Sequence, residues 1–234
     1  MPITEFLECN AAQYGNEVAL VEINPAFEEA NHSWKEYALV ETSHHPAYRK
    51  EITWQVFEEQ ANRFANFLLF RGVQRGHKVA ILLMNCIEWL PIYFGILKAG
   101  AIVVPLNYRY TAEEIRYCLD LADVSLLVFG PEFVERVEKI RGQIPGVKQM
   151  YFVGEECPAF AESWEALNNS QSSQNPGTPL RDEEDAAIYF SSGTTGFPKA
   201  ILHSHASLVS ACVTEQNHHS QGREDNFLCI PPLY

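Results

Sequence analysis

The feature that most constrains the fold is an alternation of two patterns that begins near Thr53. Continuous apolar runs of strand length are separated by segments whose apolar residues recur with helical spacing. The predicted strands cover residues 78–83, 101–105, 124–129, 147–153 and 186–190. Because each run is apolar along its whole length, we expect strands that are buried on both faces of a parallel sheet. The alternation therefore predicts an α/β fold, with mostly parallel sheets and flanking helices.

The segments between these runs carry helix-boundary signals. Thr53 is the predicted cap of the first helix, and Asn85 is the predicted cap of the second. Thr111 and Glu114 have the spacing of a capping box, in which each side chain binds a backbone N–H of the other residue. Two further helices are predicted over residues 131–141 and 205–216.

The parts of the chain outside this alternation are less regular. Residues 1–50 lack sustained periodicity, so we expect an irregular amino-terminal segment packed on one domain that covers residues 51–234. Residues 168–180 are polar and contain proline and glycine, which is typical of a surface loop or linker. Residues 226–234 predict an apolar strand followed by two prolines. Because a natural terminus seldom stops in such a run, we expect the domain to be truncated at its carboxy end.

Composition narrows the classes of function. The formal charge of −13 and the lack of a basic stripe argue against a nucleic-acid binder. The most apolar stretch, residues 79–106, is interrupted by charges, proline and glycine, so it does not predict a transmembrane segment. The six cysteines are scattered, and residues 1–10 lack the basic region of a secretory signal. We therefore expect a cytoplasmic protein with free thiols.

A run of small and hydroxyl residues extends from Ser191 to Lys199, directly after the last predicted strand. Its glycines can bring backbone N–H groups close to an anion, its Ser and Thr side chains add hydroxyl donors, and Lys199 adds a positive charge. A surface turn is the ordinary explanation for such a composition, but this combination favours a polyphosphate site. A Walker A loop is disfavoured, because Lys199 follows Pro198 and precedes Ala200 instead of standing between glycine and a hydroxyl residue.

Histidines and cysteines give weaker signals. His203 and His205 have the spacing that places both on one face of an extended segment, but no third ligand follows at a diagnostic distance. A pocket-lining or structural role is therefore favoured over a metal site. Cys212 and Cys229 lie in apolar runs, which favours buried, unreactive thiols over nucleophiles. No catalytic residue follows from these patterns.

The run SSGTTGFPK resembles the signature of the adenylate-forming superfamily, which contains acyl-CoA synthetases, luciferases and the adenylation domains of peptide synthetases. Residues 52–68, 97–107 and 230–234 are similar to three further motifs, in the family's order. Residues 84–119 are most similar to bacterial fatty-acid and medium-to-long-chain acyl-CoA ligases. The resemblance implies the incomplete amino-terminal part of the large, AMP-binding domain of such an enzyme.

The resemblance also implies an activity, namely the ATP-dependent activation of a carboxylic acid, in particular a fatty acid. The carboxylate would attack the α-phosphate of ATP in the presence of Mg²⁺, and the thiol of CoA would then displace AMP from the acyl-AMP. The small-molecule carboxylate, ATP and CoA are thus the implied partners. The resemblance assigns the β- and γ-phosphates to Ser191, Ser192, Gly193, Thr194, Thr195, Gly196 and Lys199. As a hypothesis, it places His205 near the acyl pocket.

The chain departs from the family pattern at two points. Ala200 stands where the family usually has glycine. In the family, a histidine follows the position of Tyr234, and the adenine-, ribose- and Mg²⁺-binding motifs and a carboxy-terminal lysine come later. We therefore expect that these 234 residues alone are not a competent ligase. A non-catalytic nucleotide- or acyl-binding module of the same fold remains an alternative, as does an aryl-CoA ligase or an amino-acid adenylation domain.

Overall fold

The computed structural model describes residues 1–23, 49–191, 198–229 and 231–234. The helices are α1 (Ile3–Tyr14), α2 (Trp54–Phe70), α3 (Trp89–Lys98), α4 (Ala112–Leu121), α5 (Val134–Ile140), α6 (Trp164–Asn169) and α7 (His205–His219). The strands are β1 (Val18–Ile23), β2 (Arg49–Thr53), β3 (Lys78–Leu82), β4 (Ile102–Pro105), β5 (Val124–Phe129), β6 (Gln149–Phe152), β7 (Glu162–Ser163), β8 (Asp185–Ser191) and β9 (Lys199–Ser204). Short 3₁₀ turns at Pro131–Phe133 and Arg141–Gln143 flank α5.

Strands β3 to β9 form one seven-stranded sheet in the order β7-β6-β5-β3-β4-β8-β9. Every neighbouring pair is parallel except the antiparallel hairpin β8-β9. Strands β1 and β2 form a separate antiparallel pair. The α/β fold with a mostly parallel sheet and flanking helices is confirmed, and each predicted strand lies within two residues of an observed one.

The central strands are buried on both faces, as their continuous apolar runs predict. Val79 and Ile81 of β3 face α2 and α3, whereas Ala80 and Leu82 face the side covered by α4 and α5. This division follows from the strand geometry, because successive side chains point to opposite faces. Two apolar layers therefore hold the middle of the sheet.

Local capping signals set several helix boundaries. The Thr53 hydroxyl accepts a hydrogen bond from the backbone N–H of Val56 at 3.3 Å, as expected for a cap of α2. Thr111 and Glu114 form the predicted capping box at the start of α4. In contrast, α3 begins at Trp89 and not after Asn85, so the predicted cap is wrong. The Asn85 side chain binds other backbone groups, which lie at the candidate site.

The amino-terminal segment is more regular than predicted. Irregular structure was expected over residues 1–50, but α1 and β1 occupy residues 3–14 and 18–23, and residues 24–48 lie outside the described part. Of its twelve residues, α1 buries only Thr4 and Leu7, so its helical periodicity is weak. Strand β1 depends on pairing with β2, which is distant in sequence. The proposed domain division near residue 50 stays a prediction.

Most of the polar segment 168–180 is a loop, as predicted, and α2 holds it in place, but Asn168 and Asn169 form the end of α6. Asn62 donates to the carbonyl of Ser173 at 3.0 Å, and Arg63 donates to that of Gln171 at 2.6 Å. The expected strand at the start of residues 226–234 is not formed in 226–229. Phe227, for example, is 77% exposed there, and residues 226–229 pair with no described strand. Within the described ranges, no helix is both long and apolar enough to cross a membrane.

Candidate functional site at the carboxyl edge of the sheet

The β8-β9 hairpin brings the ends of the predicted phosphate loop to the carboxyl edge of the sheet. Strand β8 is parallel to β4, with Ala187 paired to Val103, so Ser191 lies at the edge where β3 and β4 also end. Across the hairpin, Ser191 pairs with Lys199. Residues 192–197, between them, lie outside the described part. In open α/β sheets, ligands bind outside the carboxyl ends of the strands, so the loop begins and ends where such a site is expected.

The two described ends of the loop differ in exposure. Ser191 is half-buried and Pro198 is buried, whereas Lys199 is exposed at the start of β9. Among the described residues, Lys199 takes part in no ion pair. Its ammonium group is therefore available to an anion, in a protein whose overall charge would otherwise repel one.

A pair of tyrosines supports β8 two residues before Ser191. The hydroxyl of Tyr93 on α3 and that of Tyr189 on β8 are 3.0 Å apart, and the Tyr189 ring meets the His203 ring edge-on at 5.6 Å between centroids. Burial raises the pKa of both phenols, so both keep their protons and one donates to the other. The pair ties β8 to α3 two residues before the described start of the loop. Sequence analysis missed it, because each tyrosine lies in an otherwise apolar run.

Asn85 holds the carboxy-terminal segment across the same edge. Its side-chain amide donates to the carbonyl of Pro231 at 2.9 Å, and its side-chain oxygen accepts from the backbone N–H of Leu233 at 3.1 Å. The Tyr234 ring packs edge-on against Tyr108, which follows β4, at 5.9 Å between centroids. The last four residues of the IPPLY motif thus lie across the ends of β3 and β4. The available signal for Asn85 was its position directly after a parallel strand.

Arg136 of α5 fixes the loop that carries Tyr108. One guanidinium nitrogen donates to the carbonyls of Tyr108 and Tyr110, both at 2.8 Å, and the guanidinium lies 5.0 Å from the centre of the Phe133 ring. A single arginine therefore satisfies two backbone acceptors of the turn between β4 and α4. This turn forms a rigid wall beside Tyr234.

The two predicted pocket histidines do not share an extended segment. His203 lies in β9, but Ser204 caps α7 and His205 is its first residue, 2% exposed. The backbone N–H of His205 donates to the carbonyl of Glu184 at 3.1 Å, and burial lowers the pKa of its imidazole. Because β9 is extended, His205 lies roughly 20 Å along the hairpin from Lys199. It is therefore near the amino ends of the parallel strands, away from the carboxyl ends where the loop begins. Its acyl-pocket role stays a prediction.

All six cysteines are free thiols. The prediction of burial is wrong for Cys212, which is exposed, and Cys229 is only partly buried. Cys212 is exposed because α7 buries only His205. Within the described residues, no group of three or more His, Cys, Asp or Glu side chains could hold a metal ion.

Comparison with known proteins identifies relatives over most of the chain. The sequence profile of the family described as AMP-binding enzyme matches residues 10–234. A medium/long-chain-fatty-acid–CoA/3-oxocholest-4-en-26-oate–CoA ligase of Mycolicibacterium smegmatis is 33% identical over 164 residues, which make up 68% of this chain and 29% of that protein. A crotonobetaine/carnitine–CoA ligase of Salmonella paratyphi A is 35% identical over 163 residues, with shares of 68% and 32%. The chain spans about a third of the length of these curated relatives.

Solved structures agree with the sequence relatives. An anthranilate CoA ligase in complex with anthranoyl-AMP superposes with a TM-score of 0.74 at 27% identity, over 88% of this chain and 35% of that chain. A long-chain-fatty-acid–CoA ligase from Archaeoglobus fulgidus has a TM-score of 0.79 at 20% identity, over 96% and 41%, and so shares the fold. The profile match, the sequence relatives and the arrangement of the sheet all lead to one family. The chain belongs to the AMP-binding enzymes.

Proposed function

We propose that this chain carries the polyphosphate-binding part of an ATP-dependent acid–CoA ligase. Its substrate would be a carboxylic acid, in particular a fatty acid, which is converted to acyl-AMP and then to acyl-CoA. The observation that carries the proposal is the β8-β9 hairpin, with Ser191 and Lys199 at the two ends of the loop. The names of the two curated relatives, both CoA ligases of organic acids, support the reaction class. The free thiols suit the reducing cytoplasm.

In this proposal the loop binds the β- and γ-phosphates, which leave together as pyrophosphate. A carboxylate oxygen attacks the α-phosphorus, and the bond from that phosphorus to the bridging oxygen of the β-phosphate breaks. Backbone N–H groups, hydroxyls and the Lys199 ammonium replace water around the leaving group and stabilise its charge. The proposed ligands are Ser191, Ser192, Gly193, Thr194, Thr195, Gly196 and Lys199. The CoA thiol then attacks the acyl carbonyl, and the bond to AMP breaks.

Mg²⁺, which accompanies ATP in this reaction, has no ligand assigned among these residues. Mg²⁺, when bound to the nucleotide, would offset part of the phosphate charge. The described residues include no group of three or more His, Cys, Asp or Glu side chains that could hold this ion. The proposed contribution of this chain is therefore charge stabilisation by the loop, with Tyr93 and Tyr189 supporting the strand that leads into it.

The test uses tripolyphosphate, since the adenine and ribose motifs of the family are not among these residues. We expect Lys199→Ala to weaken its binding to the chain by about tenfold, the loss of one charge-assisted contact. Lys139→Ala is the matched control, because Lys139 is an exposed lysine on α5, remote in the fold from the hairpin. Titration calorimetry measures both. Equal affinities for Lys199→Ala and Lys139→Ala would overturn the assignment of the loop.

We also propose that the 234 residues alone do not complete the reaction. The support is that the chain spans about a third of its curated relatives. Carboxylate-dependent exchange of pyrophosphate into ATP tests this point, and robust exchange by the chain alone would contradict it.

An aromatic acid is the second candidate substrate, favoured by the likeness to the anthranilate CoA ligase. Parallel exchange assays with benzoate and a fatty acid, on a longer form of the protein, distinguish the two substrates.

A further inference from the structure

A cavity opens at the carboxyl edge of the sheet, on the side away from the β8-β9 hairpin. Its walls come from the segments after β3, β5 and β6, together with α6, and its volume is about 530 Å³. Pockets of about 300–1,000 Å³ are typical of small-molecule sites. The cavity is therefore large enough for a ligand of its own, and β4 separates it from the proposed phosphate loop.

The path of the chain explains why a cavity forms here. From β3 the chain crosses to β4 on one side, and from β4 it returns to β5 on the other side of β3. The direction of winding thus reverses between β3 and β5, and the segments that follow these two strands diverge. Such a reversal is where open α/β sheets bind ligands. The phosphate loop lies at a different place, beyond β4.

Three side chains that line the cavity have buried polar atoms without a partner among the described residues. They are the Trp164 indole nitrogen, the Asn168 side-chain oxygen and the Gln60 side-chain oxygen. Trp164 is 5% exposed and Asn168 is 2% exposed, so bulk water does not supply hydrogen bonds to their unpaired atoms. An unpaired buried polar group is destabilising. Ammonium groups of a ligand, or water that the ligand orders, can donate to the two amide oxygens, whereas only ordered water can accept from the indole N–H.

The charges around the cavity select the kind of ligand. Five carboxylates line it, and the one lysine among the lining residues, Lys50, is already 3.5 Å from Glu22. The carboxylates belong to Glu22, Glu88, Glu132, Glu155 and Glu165. They are spread around the walls, and no three of them converge as a metal ion would require. A ligand whose positive charges are spaced apart fits them better than a single compact cation.

The remaining walls suit the body of such a ligand. Leu83, Met84, Val153 and the Trp164 ring supply apolar surface between the carboxylates. Methylene groups gain free energy when they are buried against such surface. We propose that this cavity binds a linear aliphatic polyamine, with ammonium groups at the carboxylates and methylene groups on the apolar wall. The cavity includes no residue of the proposed phosphate loop, and it shares with the candidate site only Asn85, which holds the carboxy-terminal segment.

The first test measures spermidine binding to the 234-residue chain by titration calorimetry at physiological ionic strength. We expect saturable 1:1 binding, which the triple variant E132Q/E155Q/E165Q weakens by about tenfold or more. These three residues are exposed, so the substitutions leave the core unchanged. The matched control E135Q/E138Q/E224Q removes three exposed carboxylates elsewhere, and we expect its affinity to stay within about twofold of the wild type.

A second variant tests the shape of the cavity. Met84 lies on its wall and is 40% exposed, so Met84→Trp should fill the space without disturbing the core. We expect loss of spermidine binding with an unchanged thermal unfolding temperature and unchanged binding of tripolyphosphate. The proposal is overturned if the wild type shows no saturable binding, or if Met84→Trp binds spermidine as the wild type does. Equal weakening in both triple variants also overturns it, because that result reports only the overall charge of −13.

Discussion

The centre of the sheet and its β9 edge differ sharply in how much of the chain covers them. All four residues of β4 are buried, whereas the first four residues of β9 are exposed, including Leu202 at 54%. The helices repeat this contrast. Eight of the ten residues of α3 are buried, but α7 buries only His205 among its fifteen.

The difference separates what local sequence determines from what tertiary packing determines. Both helices have apolar residues at helical spacing, and both form. Capping and spacing act within a few residues, so they specify a helix wherever it lies. Burial requires neighbours, and only the central strands have helices on both faces. Most of the stability should therefore come from the centre, and the hairpin should tolerate substitution.

The two lysines of these regions give the largest expected contrast. Lys98 of α3 is 2% exposed and pairs with Glu8 at 2.6 Å and Glu58 at 2.8 Å. Lys98→Met leaves these carboxylates without their cation, and we expect a loss of about 3–5 kcal/mol in the free energy of unfolding. For the exposed Lys199, we expect Lys199→Met to change it by less than about 0.5 kcal/mol. Urea denaturation at neutral pH measures both.

A double variant identifies the source of the loss at Lys98. Adding Glu58→Leu removes the buried carboxylate, so Lys98→Met/Glu58→Leu should recover part of the stability. If the double variant were as unstable as Lys98→Met alone, lost packing and not the unpaired charge would explain the effect. Equal losses at Lys98 and Lys199 would contradict the contrast itself.

Two aliphatic residues give the next contrast. Ile96 of α3 is fully buried, and Val213 of α7 is 44% exposed. We expect Ile96→Ala to cost about 2–5 kcal/mol, because it removes packed methyl groups and leaves a cavity. Val213→Ala should change the free energy of unfolding by less than about 0.5 kcal/mol. The midpoints of urea unfolding measure both, and a comparable loss in Val213→Ala would show that the β9 side is packed after all.

The fold was predictable to the extent that its signals were local. The continuous apolar runs predicted the parallel strands, and Thr53 and Thr111 predicted helix starts, because those contacts span only a few residues. The pairing of β1 with β2 was not predictable, because a strand with one partner far along the chain carries no distinctive pattern. The exposure of α7 was missed for the related reason that helical spacing does not specify a covering element.

The residues of the candidate site also separate into those that local sequence predicts and those that depend on distant contacts. Small residues, hydroxyls and a lysine predicted an anion loop, since those groups are required whatever the fold. Asn85 was misassigned as a helix cap, because its true partners, Pro231 and Leu233, are remote in sequence. The hydroxyl pair of Tyr93 and Tyr189 needed the structure for the same reason. The anion-binding role of the loop stays a prediction from the sequence, and the structure adds the contacts that hold the residues around its two ends.

Helix caps should behave alike in both regions. Thr111 caps α4 by accepting from the backbone N–H of Glu114 at 3.3 Å, and Ser204 caps α7 by accepting from that of Ser207 at 3.2 Å. We expect Thr111→Ala and Ser204→Ala each to cost about 1 kcal/mol in the free energy of unfolding, because each removes the bond that caps its helix. The Thr111 hydroxyl also donates to Oε2 of Glu114 at 2.8 Å, an exposed bond that should add little. Thermal unfolding monitored by circular dichroism measures this loss. If only Thr111→Ala lost stability, the contrast between the regions would extend to their local bonds.

The smallest expected effect is a pH dependence that originates at His205, the one fully buried residue of α7. Burial lowers the pKa of its imidazole below 6.5, opposed by the nearby carboxylates of Glu184 and Asp182. The unfolded chain therefore binds this proton at a higher pH than the folded chain does. The contribution of the neutral imidazole to stability is complete above about pH 6.5 and is lost as the pH falls through that value towards the lowered pKa.

We expect the urea midpoint of the wild type to fall more between about pH 7.5 and about pH 5.5 than that of His205→Phe. The difference in the free energy of unfolding should be smaller than the loss expected for either cap variant. His218→Phe, at an exposed position of α7, is the control and should follow the wild type. If His205→Phe showed the same fall as the wild type, this imidazole would titrate as a solvent-exposed one does, and the burial of the first residue of α7 would not contribute to the pH dependence.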